Sequence, residues 1–506
     1  MTSCAIDDAL VLSDDGFAVG TVLVEGRQIG AVAWSAEERE ALRMRAATVV
    51  AAEGHWLISG LVDGHAHGYA TLLRGTENSL PLELWAFYTV LYGRAFDEAT
   101  MCAAILLGAA ERIRAGITGW IDHSPMVHLS EAALAAHEAS GLRVGYAVFL
   151  HDVADDALLE LAVPEPVASL AGGVPSLDPQ RYAAHFAELM ETARAGSGRV
   201  SVLLGPNAPQ RCSPTAWQLW RSLREAHGVG VHTHLMETRT QAGIGQRGWP
   251  GGLVAEMERQ RLLGEWLSVA HGVWLAPAER DLLAAHRVTV VHNPASNLML
   301  GSGIMPLHDA RRAGLRVALG TDSANTGGRH DLFEAMRLAL MLPRVGDPDH
   351  ARWPHGRDVL EMATRSGAAV LRMGSQLGRI APGQLADLVL VRCRTAGTLA
   401  LAAGEDALVQ HGGPEAVDSV MVDGRWVMRG QTLLAFDEAA ALADAEAAIA
   451  ALHDRTAANL AMLNGALPTL EQGLADADRV RRRAARPADG DGRPRRREHR
   501  SGPERR

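Results

Sequence analysis

His65 and His67 close the apolar run Gly60-Leu61-Val62-Asp63-Gly64 as a His-x-His pair. If that run is a strand, residues i and i+2 share a face, so both imidazoles can reach one metal ion. A pair of surface or core histidines is the plainer reading of a lone copy. A second run, Val231-His232-Thr233-His234-Leu235-Met236-Glu237, ends in the same way. His234 is a candidate third ligand, and His232 a competing ligand or substrate contact. Glu237, three residues on, can shuttle a proton or simply open the next helix as a first-turn acid. His271 closes another apolar run, and Asp322 follows Leu319-Gly320-Thr321. An aspartate there can bind metal with one oxygen and take a proton from bound water with the other. As a helix N-cap it would do neither.

These residues need a scaffold that brings several strand ends to one rim. Apolar strand candidates fall at Gly60–His65, Ile117–Asp122, Arg143–Leu150, Val200–Leu204, Val229–His234, Leu267–His271, Val288–His292 and Arg316–Gly320. Ala-, Leu- and Arg-rich helical stretches lie between them, among them Ala99–Ala115, Glu131–Ser140, Pro179–Ala195 and Ser213–His227. Eight strand–helix units predict an α/β fold, a (β/α)8 TIM barrel over 61–375, whose active site belongs at the C-terminal rim of the strands. The candidate ligands close strands one, five, six and eight. Short β-branched runs at Ala18–Val24, Gly26–Val32 and Thr48–Ala52, and again at Ala386–Val391, Val417–Val422 and Arg425–Met428, predict a small β-sandwich built from both chain ends, 1–60 and 376–436. An outer helical segment is expected at 437–478, and a disordered Arg-rich tail at 479–506.

Composition removes several chemistries. All 49 basic residues are arginine, so a Schiff-base lysine, a phosphate-loop lysine and a carboxylated-lysine metal bridge are all impossible. The four cysteines, at 4, 102, 212 and 393, show no paired spacing, which argues against a disulfide framework and for a cytoplasmic protein. No apolar stretch reaches the length of a bilayer span. The net charge of −10, with the basic residues of the tail set apart, leaves an acidic body that disfavours nucleic acid as a partner.

The tracts Thr71-Leu72-Leu73-Arg74-Gly75, Leu82-Glu83-Leu84-Trp85, His292-Asn293-Pro294-Ala295-Ser296-Asn297, Gly320-Thr321-Asp322-Ser323 and Gly378-Arg379-Ile380-Ala381-Pro382-Gly383 resemble the amidohydrolase superfamily. The resemblance is to its mononuclear branch of triazine hydrolases and S-adenosylhomocysteine/methylthioadenosine deaminases, and it covers roughly residues 15–435. It implies His65, His67, His234 and Asp322 as ligands of one divalent metal, zinc with iron(II) as the chemical alternative. It also implies Glu237 as the acid that protonates a ring nitrogen, and His271 as the histidine that orients or deprotonates the attacking water. Such a metal lowers the pKa of water from 15.7 toward about 7, supplying hydroxide. The implied reaction is hydrolytic deamination of a small heteroaromatic or amidine substrate. Loss of halide or alkylamine at the same centre is the alternative, and an inactive scaffold a second one. The expected partners are a small-molecule substrate and further copies of the chain, with neither nucleic acid nor membrane.

Two departures bear on substrate. Nucleoside-type relatives carry a glutamate nine positions after the tryptophan matching Trp85, where Arg94 stands here. They carry a histidine where this chain has Asn207 in Gly205-Pro206-Asn207. Both changes point away from adenosine-type substrates and toward an anionic group held by a guanidinium, unless Arg94 is a surface helix residue. Trp85 can stack on a ring or pack a lid, His151 can line the pocket, His123 reads as structural, and Asn297 as a loop-fixing side chain.

Overall fold

The computed structural model describes residues 3–154, 163–165, 167–168 and 176–484, with the side chains of 478–484 outside the description. Eight parallel strands follow one another in chain order around a barrel: Leu61–Ala66, Ile117–Ser124, Arg143–Leu150, Val200–Pro206, Val231–Leu235, Leu267–His271, Thr289–His292 and Arg316–Leu319. Nearly every residue in them is buried, as expected of parallel strands covered on both faces. The barrel closes where the N–H of Asp322 donates to the carbonyl of His65 at 2.9 Å. Gly320 permits that approach, since a Cβ there would lie 2.8 Å from the same carbonyl oxygen.

The floor of the barrel is apolar. Val62, Ile121, Ala147, Leu203, Val291 and Ala318 form one cluster, plugged from below by Val370 and Leu371. Two positions further along the chain from each stand Gly64, His123, Phe149, Gly205, Asn293 and Gly320, a layer that brings the first polar side chains, His123 and Asn293, to the lining. The surrounding helices start and stop where their termini dictate. In Pro214–His227 the Ser213 hydroxyl caps the N-terminus, Pro214 takes the first helical position, and Gly228 ends the helix in the left-handed conformation.

Both chain ends meet in a nine-stranded sheet. His55–Ser59 pairs antiparallel with Leu388–Arg392, and Ile6, Val11, Val22, Leu57, Leu388, Leu390 and Met421 share a single apolar cluster. The strand Ser3–Ser13 escapes the sequence reading because Asp7 and Asp8 interrupt it at a bulge. The helix Ala36–Arg45 escapes because only Leu42 on it is buried. Arg143 ties this sheet to the third barrel strand through Asp387 at 2.8 and 2.9 Å and Asp423 at 2.7 Å.

The expected outer segment is one helix, Glu438–Ala484, so it runs past 478 into the first residues of the expected disordered tail. Alanine and arginine are both strong helix formers, so charge alone does not end a helix. The rest of the tail lies outside the described residues. Leu463 and Leu470 of this helix pack on Leu84, Trp85, Tyr88 and Leu91 of the helix Leu82–Gly93, and Arg455 pairs with Asp97 at 2.6 Å. No helix among the described residues is long and apolar enough to cross a membrane.

Candidate active site

Four side chains from three separated strands converge at the C-terminal rim. Nε2 of His67 lies 3.3 Å from Nε2 of His234. Oδ1 of Asp322 lies 3.3 Å from Nε2 of His65 and 3.5 Å from Nε2 of His67. Ligands on arms of about 2.0–2.1 Å around tetrahedral zinc are separated by about 3.3–3.4 Å, so these spacings fit a shared ion. The donor chemistry fits as well. Nε2 of His65 is buried with no hydrogen-bond partner among the described residues, a costly arrangement unless the lone pair has a use. Burial pushes His65 down to about 4, so it stands as the neutral ring a metal needs. At Asp322 burial raises the carboxyl, but the imidazoles of His65, His271 and His67 around it together outweigh burial and hold the group ionised, well below its usual range.

The Nδ1 atoms are held from behind, which aims each Nε2 inward. Nδ1 of His67 donates to the carbonyl of His123 at 2.6 Å, and Nδ1 of His234 to the carbonyl of Asn207 at 2.6 Å. The ring of His123 is itself occupied by the carbonyl of Gly205 at 3.1 Å, in keeping with its structural reading.

Glu237 and His271 face each other beside this cluster, with Oε2 and Nε2 3.7 Å apart, and Nε2 of His271 lies 3.9 Å from Oδ2 of Asp322. Burial raises the Glu237 carboxyl to about 7, against the charge of His271. Neither acid serves the helix role it could have had. The helix Arg239–Gly248 is capped by Thr238, one residue beyond Glu237, and Asp331, not Asp322, caps Leu332–Gly346. His271 and Asp322 both sit at positive φ, 75° and 61°, a strained backbone of the kind that collects at functional sites. Asn297 fixes more than its own loop, since its Oδ1 receives Nδ1–H of His271 at 2.9 Å.

The expected substrate contacts separate. Trp85 is buried in the apolar cluster under the long C-terminal helix, which is the packing reading, although its indole N–H has no partner among the described residues. Arg94 ends the helix Leu82–Gly93 with an exposed side chain. The guanidinium near the centre is that of Arg211, which donates to Oδ1 of Asn207 at 3.1 Å and whose charge acts on Glu237. His151 is half-buried at the end of the third strand, its ring 6.0 Å from that of Phe149.

Three further contributors take their part only from the fold. Phe149 lies against His123, His67 and His234 but reads as core within an apolar strand. Asp63 accepts from the backbone and hydroxyl of Thr321 at 2.9 and 2.6 Å. Glu83 accepts from the hydroxyl of Thr238 at 2.7 Å. The partners of the last two are distant in the chain.

The model of the amidohydrolase family matches residues 56–427. The 5'-deoxyadenosine deaminase of Methanothermobacter thermautotrophicus is 31% identical over 451 residues, spanning 87% of this chain and 97% of that protein. The 5-methylthioadenosine/S-adenosylhomocysteine deaminase of Desulforudis audaxviator is 33% identical, over 76% of this chain and 84% of its own length. Among solved structures, a zinc-bound adenosine deaminase from Xanthomonas campestris superposes with a TM-score of 0.78 at 26% identity, covering 90% of this chain and 99% of that one. The atrazine chlorohydrolase of Arthrobacter aurescens, complexed with zinc, superposes with a TM-score of 0.78 over 88% of this chain and all of its own, and at 20% identity it shares the fold.

Proposed function

The chain belongs to the amidohydrolase family, and from that premise we propose that it is a one-metal, zinc-dependent aminohydrolase that removes an amino group from a small heteroaromatic ring. The observation that carries this reading is the convergence of His65, His67, His234 and Asp322 at ligand-to-ligand spacings, with a buried acid of pKa about 7 beside them. Absence of lysine supports a single ion, since no carboxylated lysine is there to bridge two.

When bound, a divalent ion at this centre supplies a strong nucleophile from water at neutral pH. The other roles fall to the chain. Glu237, poised near neutrality, takes a proton and returns it to a ring nitrogen, which makes the adjacent carbon electrophilic. His271, held by Asn297, orients the water, and Asp322, ionised, accepts a proton with its second oxygen and passes it on to the exocyclic amino group, which leaves as ammonia. Phe149 walls one side of the centre.

For the substrate we favour a ring bearing an anionic group. This rests on the asparagine at 207 and on the Arg211 guanidinium that it holds beside the site. Arg94, exposed on its helix, is the weaker source of that charge. The indole N–H of Trp85, without a partner among the described residues, supports a further hydrogen bond to substrate. The test is ammonia release by the zinc-loaded protein across a panel of aminated purines, pyrimidines and triazines, with and without a carboxylate or phosphate. Efficient turnover of adenosine would overturn the anionic preference. Release of halide or alkylamine without ammonia would move the protein to the alternative reaction.

A further inference from the structure

The three imidazoles of the centre are not held alike. His67 and His234 each donate Nδ1–H to a main-chain carbonyl. His65 instead lies with its Nδ1 2.8 Å from Nε2 of a fourth histidine, His232. Nδ1 of His232 in turn lies 2.8 Å from Oγ of Ser268, and that hydroxyl reaches the carbonyl of Val231 at 3.3 Å. All of these side chains are buried.

The direction of the relay follows from its last member. A carbonyl only accepts, so Ser268 donates its hydroxyl hydrogen to Val231 and presents a lone pair to His232. Nδ1 of His232 then carries a proton, its Nε2 is bare, and Nδ1 of His65 donates to it. Nε2 of His65 is left as an unprotonated lone pair facing the centre.

A competing arrangement is a second ion between His65, His232 and His123, which are close enough together to hold one. The 2.8 Å separation of His65 and His232 decides against it. That is a hydrogen bond, well inside the spacing of about 3.3 Å that two ligands of one tetrahedral zinc require.

We propose that His232, backed by Ser268, is a positioning residue that fixes the tautomer and ring plane of His65 and thereby sets the affinity of the centre for its ion. This rests on the metal-centre reading above. Chelator competition on the full chain measures Zn2+ affinity, and Co2+ loading reports ligand geometry through its visible bands. His232→Phe keeps an aromatic ring and removes the acceptor. It should weaken Zn2+ binding by about 10–100-fold and shift the Co2+ bands. His232→Gln restores an acceptor for His65 and a donor for Ser268, and should recover most of the affinity, whereas a packing role alone would favour phenylalanine over glutamine. Ser268→Ala removes only the anchor of the relay, should weaken binding several-fold, and carries the test if His232→Phe does not fold. A wild-type chain that binds neither ion would overturn the metal-centre reading itself. A wild-type chain that binds one equivalent, with these variants unchanged in affinity and spectrum, would overturn the positioning role alone. Two equivalents in the wild type and one in His232→Phe would make His232 a ligand and overturn it as well.

Discussion

Asp63 holds Thr321 across the barrel seam, accepting its backbone N–H at 2.9 Å and its hydroxyl at 2.6 Å. One residue beyond Thr321 is Asp322, and two beyond Asp63 is His65, so a single carboxylate aligns two candidate ligands from the first and last strands. Burial pushes this carboxyl up to about 6, with the buried Arg112 and Thr321 pulling the other way. Arg112 lies 3.8 Å away and stacks on the Trp120 ring at 3.6 Å. Asp63→Ala should therefore cost about 3–5 kcal/mol in urea unfolding of the metal-free protein, because it strands a buried guanidinium. Asp63→Asn, which keeps an acceptor for Thr321, should cost less. Equal stabilities for wild type and alanine variant would show that the seam is held elsewhere.

Purified protein should contain close to one equivalent of zinc or iron by elemental analysis. His65→Ala and Asp322→Ala should each lose it, since three distant strands contribute the donors. Full occupancy in the His65 variant would remove that histidine from the ligand set.

Glu237→Gln should keep its metal and lose about 10²–10⁴-fold in kcat, the usual worth of general acid–base catalysis. Turnover close to wild type with metal retained would leave the residue without a catalytic part.

The same substitution should reveal the strain of burying Glu237. A carboxyl raised from 4.5 to about 7 on folding favours the folded state fully only below pH 4.5. That stabilisation is lost progressively as pH rises to about 7. Without metal, Glu237→Gln should then be more stable than wild type by up to about 3 kcal/mol above pH 7, and the difference should shrink on acidification toward pH 4.5. A pH-independent difference between the two proteins would contradict this.

Asp97 caps the helix Glu98–Arg114 through the Thr100 N–H at 2.8 Å and also pairs with Arg455 of the long C-terminal helix. Asp97→Ala should cost about 0.5–2 kcal/mol, most of it from the lost cap, since the ion pair is solvent-exposed and contributes little. Arg455→Ala should cost correspondingly less, and the reverse order would place the weight on the ion pair.

The convergence of the candidate ligands was legible in the sequence because strand periodicity is local: two histidines two residues apart at the end of an apolar run share a face, whatever packs around them. The eight strands were legible for the same reason, since a buried parallel strand is an unbroken apolar run bounded by polar residues. The supporting shell was not. His67 and His234 are aimed by carbonyls of His123 and Asn207, and a carbonyl belongs to every residue type. His232 could have been ligand, substrate contact or neither until strand pairing set it against Ser268. The guanidinium whose charge acts on Glu237 is that of Arg211, in the loop after the fourth strand, while Arg94 is exposed at the end of its helix, and nothing in the local spacing encodes that difference. Local pattern determines which side chains reach the rim, while the register of neighbouring strands and the close of the barrel decide what holds them there.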